Sequence, residues 1–118
     1  MKLEIINCDF SICKISSIEQ ANFAREYVFV AKTPDEISLV CETEYAPPNA
    51  IAEHGWRAFR VAGALDFDMV GVIAKISNLL AAAGISLFVV STYNTDYVLL
   101  KVENFDRGVQ VLVENGYV

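Results

Sequence analysis

The chain has 118 residues, 54% apolar and 20% charged, with a formal net charge of −6 at pH 7. Such a composition is globular rather than disordered, and the length suits one ordinary domain or two small units sharing a sheet. Nucleic acid and anionic membranes are excluded as partners, because both need clustered Lys and Arg and the nine basic residues here are scattered.

No run reaches the roughly 18 apolar residues of a spanning helix. The start, Met1-Lys2-Leu3-Glu4-Ile5-Ile6, lacks the long apolar core and cleavage site of a signal peptide, so a cytoplasmic location is expected. Cys8, Cys13 and Cys41 are odd in number and lack paired short spacing. Free thiols are therefore expected rather than a disulfide framework or zinc site, and no metal or cofactor.

Residues 3–7 form a short apolar strand candidate, followed by a turn at 7–9 and an alternating strand at 10–15. Ser16 and Ser17 can cap a short helical or irregular segment with Glu19 and Gln20 in its first turn, ending near Arg25. The β-branched and aromatic residues 27–31 read as a strand. Thr33-Pro34-Asp35-Glu36 is a turn with Pro34 supplying its fixed φ, and 37–43 returns as a strand. Tyr45-Ala46-Pro47-Pro48 interrupts any helix or strand, and one helical turn is expected over 49–54. Residues 56–61 form the next strand.

Gly63 breaks that strand, and Asp66 or Asp68 can cap a helix. Met69, Ile73, Ile76, Leu80 and Ala83 then share a helical face, and Gly84 ends the helix. The apolar run 85–90 is expected as a central strand covered on both faces. A polar turn at 91–96 and a strand at 97–102 follow. Asn104 is a candidate cap for a last helix carrying Phe105, Val109 and Leu112, with Asn115-Gly116 as its stop. The order strand, short helix, strand, strand, short helix is thus repeated with longer helices.

His54 is the only histidine. It reads as a solvated loop residue, with no serine or cysteine at a catalytic spacing. Cys41 reads as strand packing, because a reactive thiolate wants a positive or helix-terminal environment. The stronger candidate is the loop from Gly63 to Gly71. Glycine lets backbone approach a ligand, and the helix start beyond it offers unpaired N–H groups to a carboxylate. The same glycines would also serve merely to make the turn. Asp96 can accept a ligand ammonium group or act as an ordinary turn aspartate.

Three linked stretches carry a resemblance: Gly63-Ala64-Leu65-Asp66-Phe67, Ala83-Gly84-Ile85-Ser86 and Ser91-Thr92-Tyr93-Asn94-Thr95-Asp96-Tyr97. They are similar to the second half of small proteins with two tandem ACT-like units, a group related to CASTOR-type arginine sensors and aspartate kinase regulatory domains. The resemblance covers about 60 residues well; the first half matches more loosely through residues 10–15 and the turn at Thr33.

The resemblance and the element order imply an α+β fold of two ferredoxin-like βαββαβ units, with an antiparallel sheet and helices on one face. The expected boundaries are 1–55, incomplete or with short helices, and 56–118. Only Tyr117 and Val118 remain to supply the last strand of the second unit. Residues 3–7 are expected to complete it, interlocking the two, with a homodimer as the alternative.

The implied function is non-catalytic, regulatory binding of a small molecule, an amino acid. Gly63, Asp66, Asp68, Met69 and Val70 would shape the loop, and Asn94 and Asp96 would face it from the turn. Where Asp68 stands, related sequences often have a small hydroxyl residue. The aspartate departs from that pattern and favours a ligand with an amino or guanidinium group. Rival expectations are a structural subunit without a ligand and a ferredoxin-like enzyme such as an acylphosphatase. The latter needs an arginine in its glycine-rich loop, which this loop lacks. An RNA-recognition sheet fails on charge.

Overall fold

A computed structural model of the chain describes residues 1–62 and 71–118. The fold is α+β, an antiparallel sheet with two α-helices. The strands are β1 (Leu3–Ile15), β2 (Val28–Lys32), β3 (Ile37–Glu42), β4 (Ile51–Val61), β5 (Phe88–Ser91) and β6 (Asp96–Lys101); the helices are α1 (Val72–Ala82) and α2 (Val102–Glu114). Contacts divide the chain into a C-terminal unit, Met1–Asn7 with Arg57–Val118, and an N-terminal unit, Cys8–Trp56. β1 and β4 each contribute one end to either unit.

In the C-terminal unit the strand order is β1-β4-β6-β5. α1 buries Ile76 and Leu80, and α2 buries Phe105, Gly108 and Leu112. These helical-period faces pack with Phe59, Val61, Ile85, Val98, Leu100 and Tyr117 into one core. Both helices stop the same way. Gly84 and Gly116 take φ of +73° and +97°, backbone that only glycine adopts without strain. The following N–H groups turn back in paired closing bonds: Ile85 N to Leu80 O and Gly84 N to Ala81 O in one, Tyr117 N to Leu112 O and Gly116 N to Val113 O in the other. At the edge, Leu3 N donates to Val118 O, Val118 N to Met1 O, and Ala62 N to Lys2 O.

In the N-terminal unit the strand order is β2-β3-β1-β4, with β3 antiparallel to both β1 and β2. Where the C-terminal unit has α-helices, this one has 3₁₀ turns, Ile18–Gln20 and Thr43–Tyr45. The first is closed by Ser17 and Gln20, each side chain bonding the other's backbone N–H. One buried cluster holds Cys13, Ile15, Ala21, Leu39 and Cys41, and Phe10, Val40 and Trp56 are buried as well.

Several local expectations give way to tertiary pairing. There is no turn at 7–9. β1 runs through it, because ladder partners outweigh the turn preference of Asn7 and Asp9. Residues 49–54 are not helical; Ala50 N closes a turn on Pro47 O and β4 begins at Ile51. The N-cap position of α1 is Gly71; Asp66 and Asp68, the expected caps, lie outside the described residues. α2 is capped at Lys101 rather than Asn104. The apolar run 85–90 is no covered central strand: Ile85 serves the closure of α1, and β5 is the terminal strand of its unit's order.

Candidate functional site

In the C-terminal unit the β5–β6 turn is bonded to the end of β4. The β5–β6 turn is built by Thr92, whose N–H and hydroxyl both donate to Thr95 O at 2.8 and 3.0 Å. Its hydroxyl oxygen also accepts from Thr95 N at 3.3 Å. Thr95 is 4% exposed, and its hydroxyl donates to Val61 O at 2.9 Å. That bond holds the turn against the strand that leads into residues 63–70. A buried carbonyl at a strand end needs such a partner.

Asn94 and Asp96 therefore sit on a turn pinned to the end of β4. Asn94 is exposed and Asp96 half-buried. Asp96 Oδ1 accepts from Ser91 Oγ at 2.5 Å across the hairpin. Gly63, Asp66, Asp68, Met69 and Val70, the other predicted site residues, lie outside the described residues.

At the start of α1, Lys75 N donates to Gly71 O at 2.9 Å as the first helical bond. The N-cap residue is a glycine, and the first turn itself holds no acidic residue. A cavity of about 370 Å³ opens here, lined by Gly71, Val72 and Lys75 from α1 and by Asn115, Gly116 and Tyr117 beyond α2, with Met1 alongside. In the N-terminal unit a smaller recess of about 250 Å³ lies beside Lys14, Gln20 and Asn49.

His54 is not in a loop. It lies in β4, and its Nδ1 is 2.6 Å from Ser11 Oγ, which also meets Thr43 Oγ1 at 2.9 Å. Ser11 is fully buried, so no substrate reaches its hydroxyl. The cluster satisfies a buried polar group and makes no nucleophile. Burial raises the thiol pKa of Cys8, Cys13 and Cys41, the last to about 12. All three are free thiols, with Cys13 and Cys41 buried; none has the lowered pKa of a reactive cysteine. Among the described residues no cluster of His, Cys, Asp and Glu could hold a metal ion, and no helix is long and apolar enough to cross a membrane.

A family model described as an ACT domain matches residues 51–114, more than half of the chain. The chain belongs to the ACT-domain family. Over 58 residues, 48% of its length, it is 40% identical to the cytosolic arginine sensor for mTORC1 subunit 1 of Homo sapiens. It spans only 18% of that relative. Among solved structures, a structural-genomics protein from Agobacterium tumefaciens is 28% identical with a TM-score of 0.87, covering 98% of this chain and 89% of that one. The ligand-free regulatory subunit of aspartate kinase from Thermus thermophilus is 11% identical with a TM-score of 0.68, covering 95% of each, a likeness of fold alone.

Sequence reasoning missed two residues that matter in this ACT domain. Thr95 was visible only as one more polar residue of the turn, and its partner Val61 lies 34 positions away. Tyr117 reads as leftover chain after the last helix, yet it is 6% exposed and lines the cavity. The positive φ of the preceding Gly116 is the only local sign that the chain turns inward there.

Proposed function

We propose that the chain is a non-catalytic regulatory module that binds an amino acid between the loop at 63–70 and the turn at 92–96. The observation that carries this reading is the buried bond from Thr95 to Val61 O, which fixes Asn94 and Asp96 beside the strand entering that loop. Asp96 gives one carboxylate oxygen to Ser91. Its second oxygen is available to a ligand ammonium or guanidinium group. Gly63, Asp66, Asp68, Met69 and Val70 complete the proposed site from the loop side. Binding becomes regulatory only if the ligand favours one arrangement of the protein over another.

The proposed architecture is a pair of ACT-like units, 1–55 with short helices and 56–118. The seating of Met1–Asn7 within the C-terminal unit supports an interlock through the N-terminal strand. A homodimer and a cytoplasmic setting belong to the same reading.

A thermal-shift screen against the twenty amino acids tests it. One of them, with a cationic side chain favoured, should raise the melting temperature by several degrees near saturation, since a ligand at about 100 times its Kd adds roughly 2.7 kcal/mol. Asp96→Asn should then weaken that ligand about tenfold. A screen with no shift favours the second reading, a structural subunit in which Asp96 serves only its own hairpin through Ser91.

A further inference from the structure

We propose that Ser91 is a positioning residue for Asp96. It touches no ligand itself, and it fixes the orientation in which the Asp96 carboxylate meets a ligand ammonium or guanidinium group. This role rests on the reading of Asp96 given above.

Ser91 closes β5, Asp96 opens β6, and the two stand directly opposite each other in the ladder. Opposite residues of an antiparallel pair hold their Cβ atoms about 4.5–5.5 Å apart, so two short side chains there can share one hydrogen bond. The Ser91 hydroxyl donates to Asp96 Oδ1 at 2.5 Å, a length usual for a hydroxyl on a carboxylate. Among the described residues Asp96 has no other side-chain partner, and no Lys or Arg pairs with it. This half-buried carboxylate therefore has one restraint on its rotation and no counter-charge.

The hairpin does not need that bond. Thr92 and Thr95 close the turn between them, and Thr95 ties it to Val61 O. The other hairpin shows the same turn without such a pair. Thr33 and Glu36 close it with equivalent bonds, and the residues flanking it are Lys32 and Ile37. Ile37 has no polar side-chain atom, so nothing there matches the bond from Ser91 to Asp96. Local turn chemistry accounts for both hairpins and leaves this bond unexplained by folding.

Its effect falls on the carboxylate. An unrestrained aspartate samples several staggered χ1 wells, and a ligand that selects one of them loses affinity in doing so. With Oδ1 held by Ser91 the well is chosen beforehand, and Oδ2 is left to accept from the ligand.

The test uses the whole chain with two cationic probes, L-arginine and L-lysine, and L-norleucine as the uncharged control. Affinity is read by calorimetry, and the Asp96 χ1 populations of the free protein by three-bond NMR couplings. The parent should show one χ1 rotamer. Ser91→Ala should average it and weaken whichever cationic probe binds by about threefold to tenfold. Ser91→Thr keeps the hydroxyl and should restore both. In an Asp96→Ala background, Ser91→Ala should have less than about a twofold further effect, because the two residues act as a unit. Ser91 is exposed, so its variants should melt within about a degree or two of the parent. Unchanged affinity in Ser91→Ala, an equal loss in Ser91→Thr, a full further loss in the Asp96→Ala background, or a parent χ1 that is already averaged overturns the role of Ser91 and leaves Asp96 as the contact. If neither cationic probe binds the parent, or norleucine binds as well as they do, the reading of Asp96 fails and the role of Ser91 falls with it.

Discussion

Two hairpin turns in this chain are built from the same parts. In the N-terminal unit Thr33 N donates to Glu36 O at 2.9 Å, and the Thr33 hydroxyl bonds Glu36 O and N. In the C-terminal unit Thr92 makes the same set of bonds with Thr95. They differ at the fourth residue. Glu36 is exposed, whereas Thr95 is buried and donates to Val61 O. Local chemistry makes both turns, and one buried hydroxyl makes the second part of a larger arrangement.

The covers of the two hairpins differ in the same sense. The C-terminal unit has helices of 11 and 13 residues and a core that includes Phe59, Ile76, Leu80, Leu100, Phe105 and Leu112. The N-terminal unit has two three-residue 3₁₀ turns and a cluster of Cys13, Ile15, Ala21, Leu39 and Cys41, with Phe10, Val40 and Trp56 also buried. Ile18 and Phe23 stay 48% and 64% exposed. Its first turn is closed by Ser17 and Gln20, whereas the N-cap of α1 is a glycine.

The largest expected effect comes from deleting residues 1–7. This removes Leu3, buried Ile6 and the bonds to Val118 and Ala62, and leaves strand edges that invite aggregation. The truncated chain should be insoluble or largely unfolded by circular dichroism. A soluble product with the parent's melting temperature would remove the N-terminal strand from the C-terminal unit.

Leu80→Ala comes next. It should cost about 2–5 kcal/mol in urea unfolding, while Cys13→Ala in the N-terminal unit costs about 1 kcal/mol. Equal costs would break the contrast between the two cores.

Thr95→Val keeps the shape but strands the Val61 carbonyl, a loss of about 1–3 kcal/mol. Glu36→Ala at the corresponding position should change stability by less than about 0.5 kcal/mol. If both are silent, the pinning bond contributes nothing.

The units also differ in their response to pH. Burial holds the Cys41 thiol up near 12 from an ordinary value of 9.0. The unfolded chain therefore loses this proton first, and stability should fall as pH rises from about 9 toward 12. Cys41→Ala should flatten that alkaline slope in chemical denaturation, and an unchanged slope would mean that other groups set it.

Much of the fold was legible because it depends on near neighbours. The face formed by Ile76 and Leu80, the face formed by Phe105 and Leu112, and the stop after Asn115 each follow from helical spacing or glycine conformation. The capping serine at 17 and both hairpin turns were legible for the same reason. The site was legible only as a loop and a turn. Asn94 and Asp96 fall on the described turn, while the predicted loop residues lie outside the described residues. Boundaries were misread where pairing overrode local preference, as at the continuous β1 and the early start of β4.

The sequence by itself determined the buried faces of the two helices, the reversals at 33–36 and 91–96, and the resemblance to ACT domains, since these rest on periodicity, turn chemistry and motif order. Only the tertiary structure decided that β1 runs unbroken from one unit into the other, that β5 ends its unit's strand order, and that Tyr117 is buried beside the start of α1. It also decided that Thr95 bonds Val61 and that Ser11 meets His54, pairs 34 and 43 positions apart. A hydroxyl's need for a partner can be read from its residue type, but which distant group meets it depends on how the strands and helices pack.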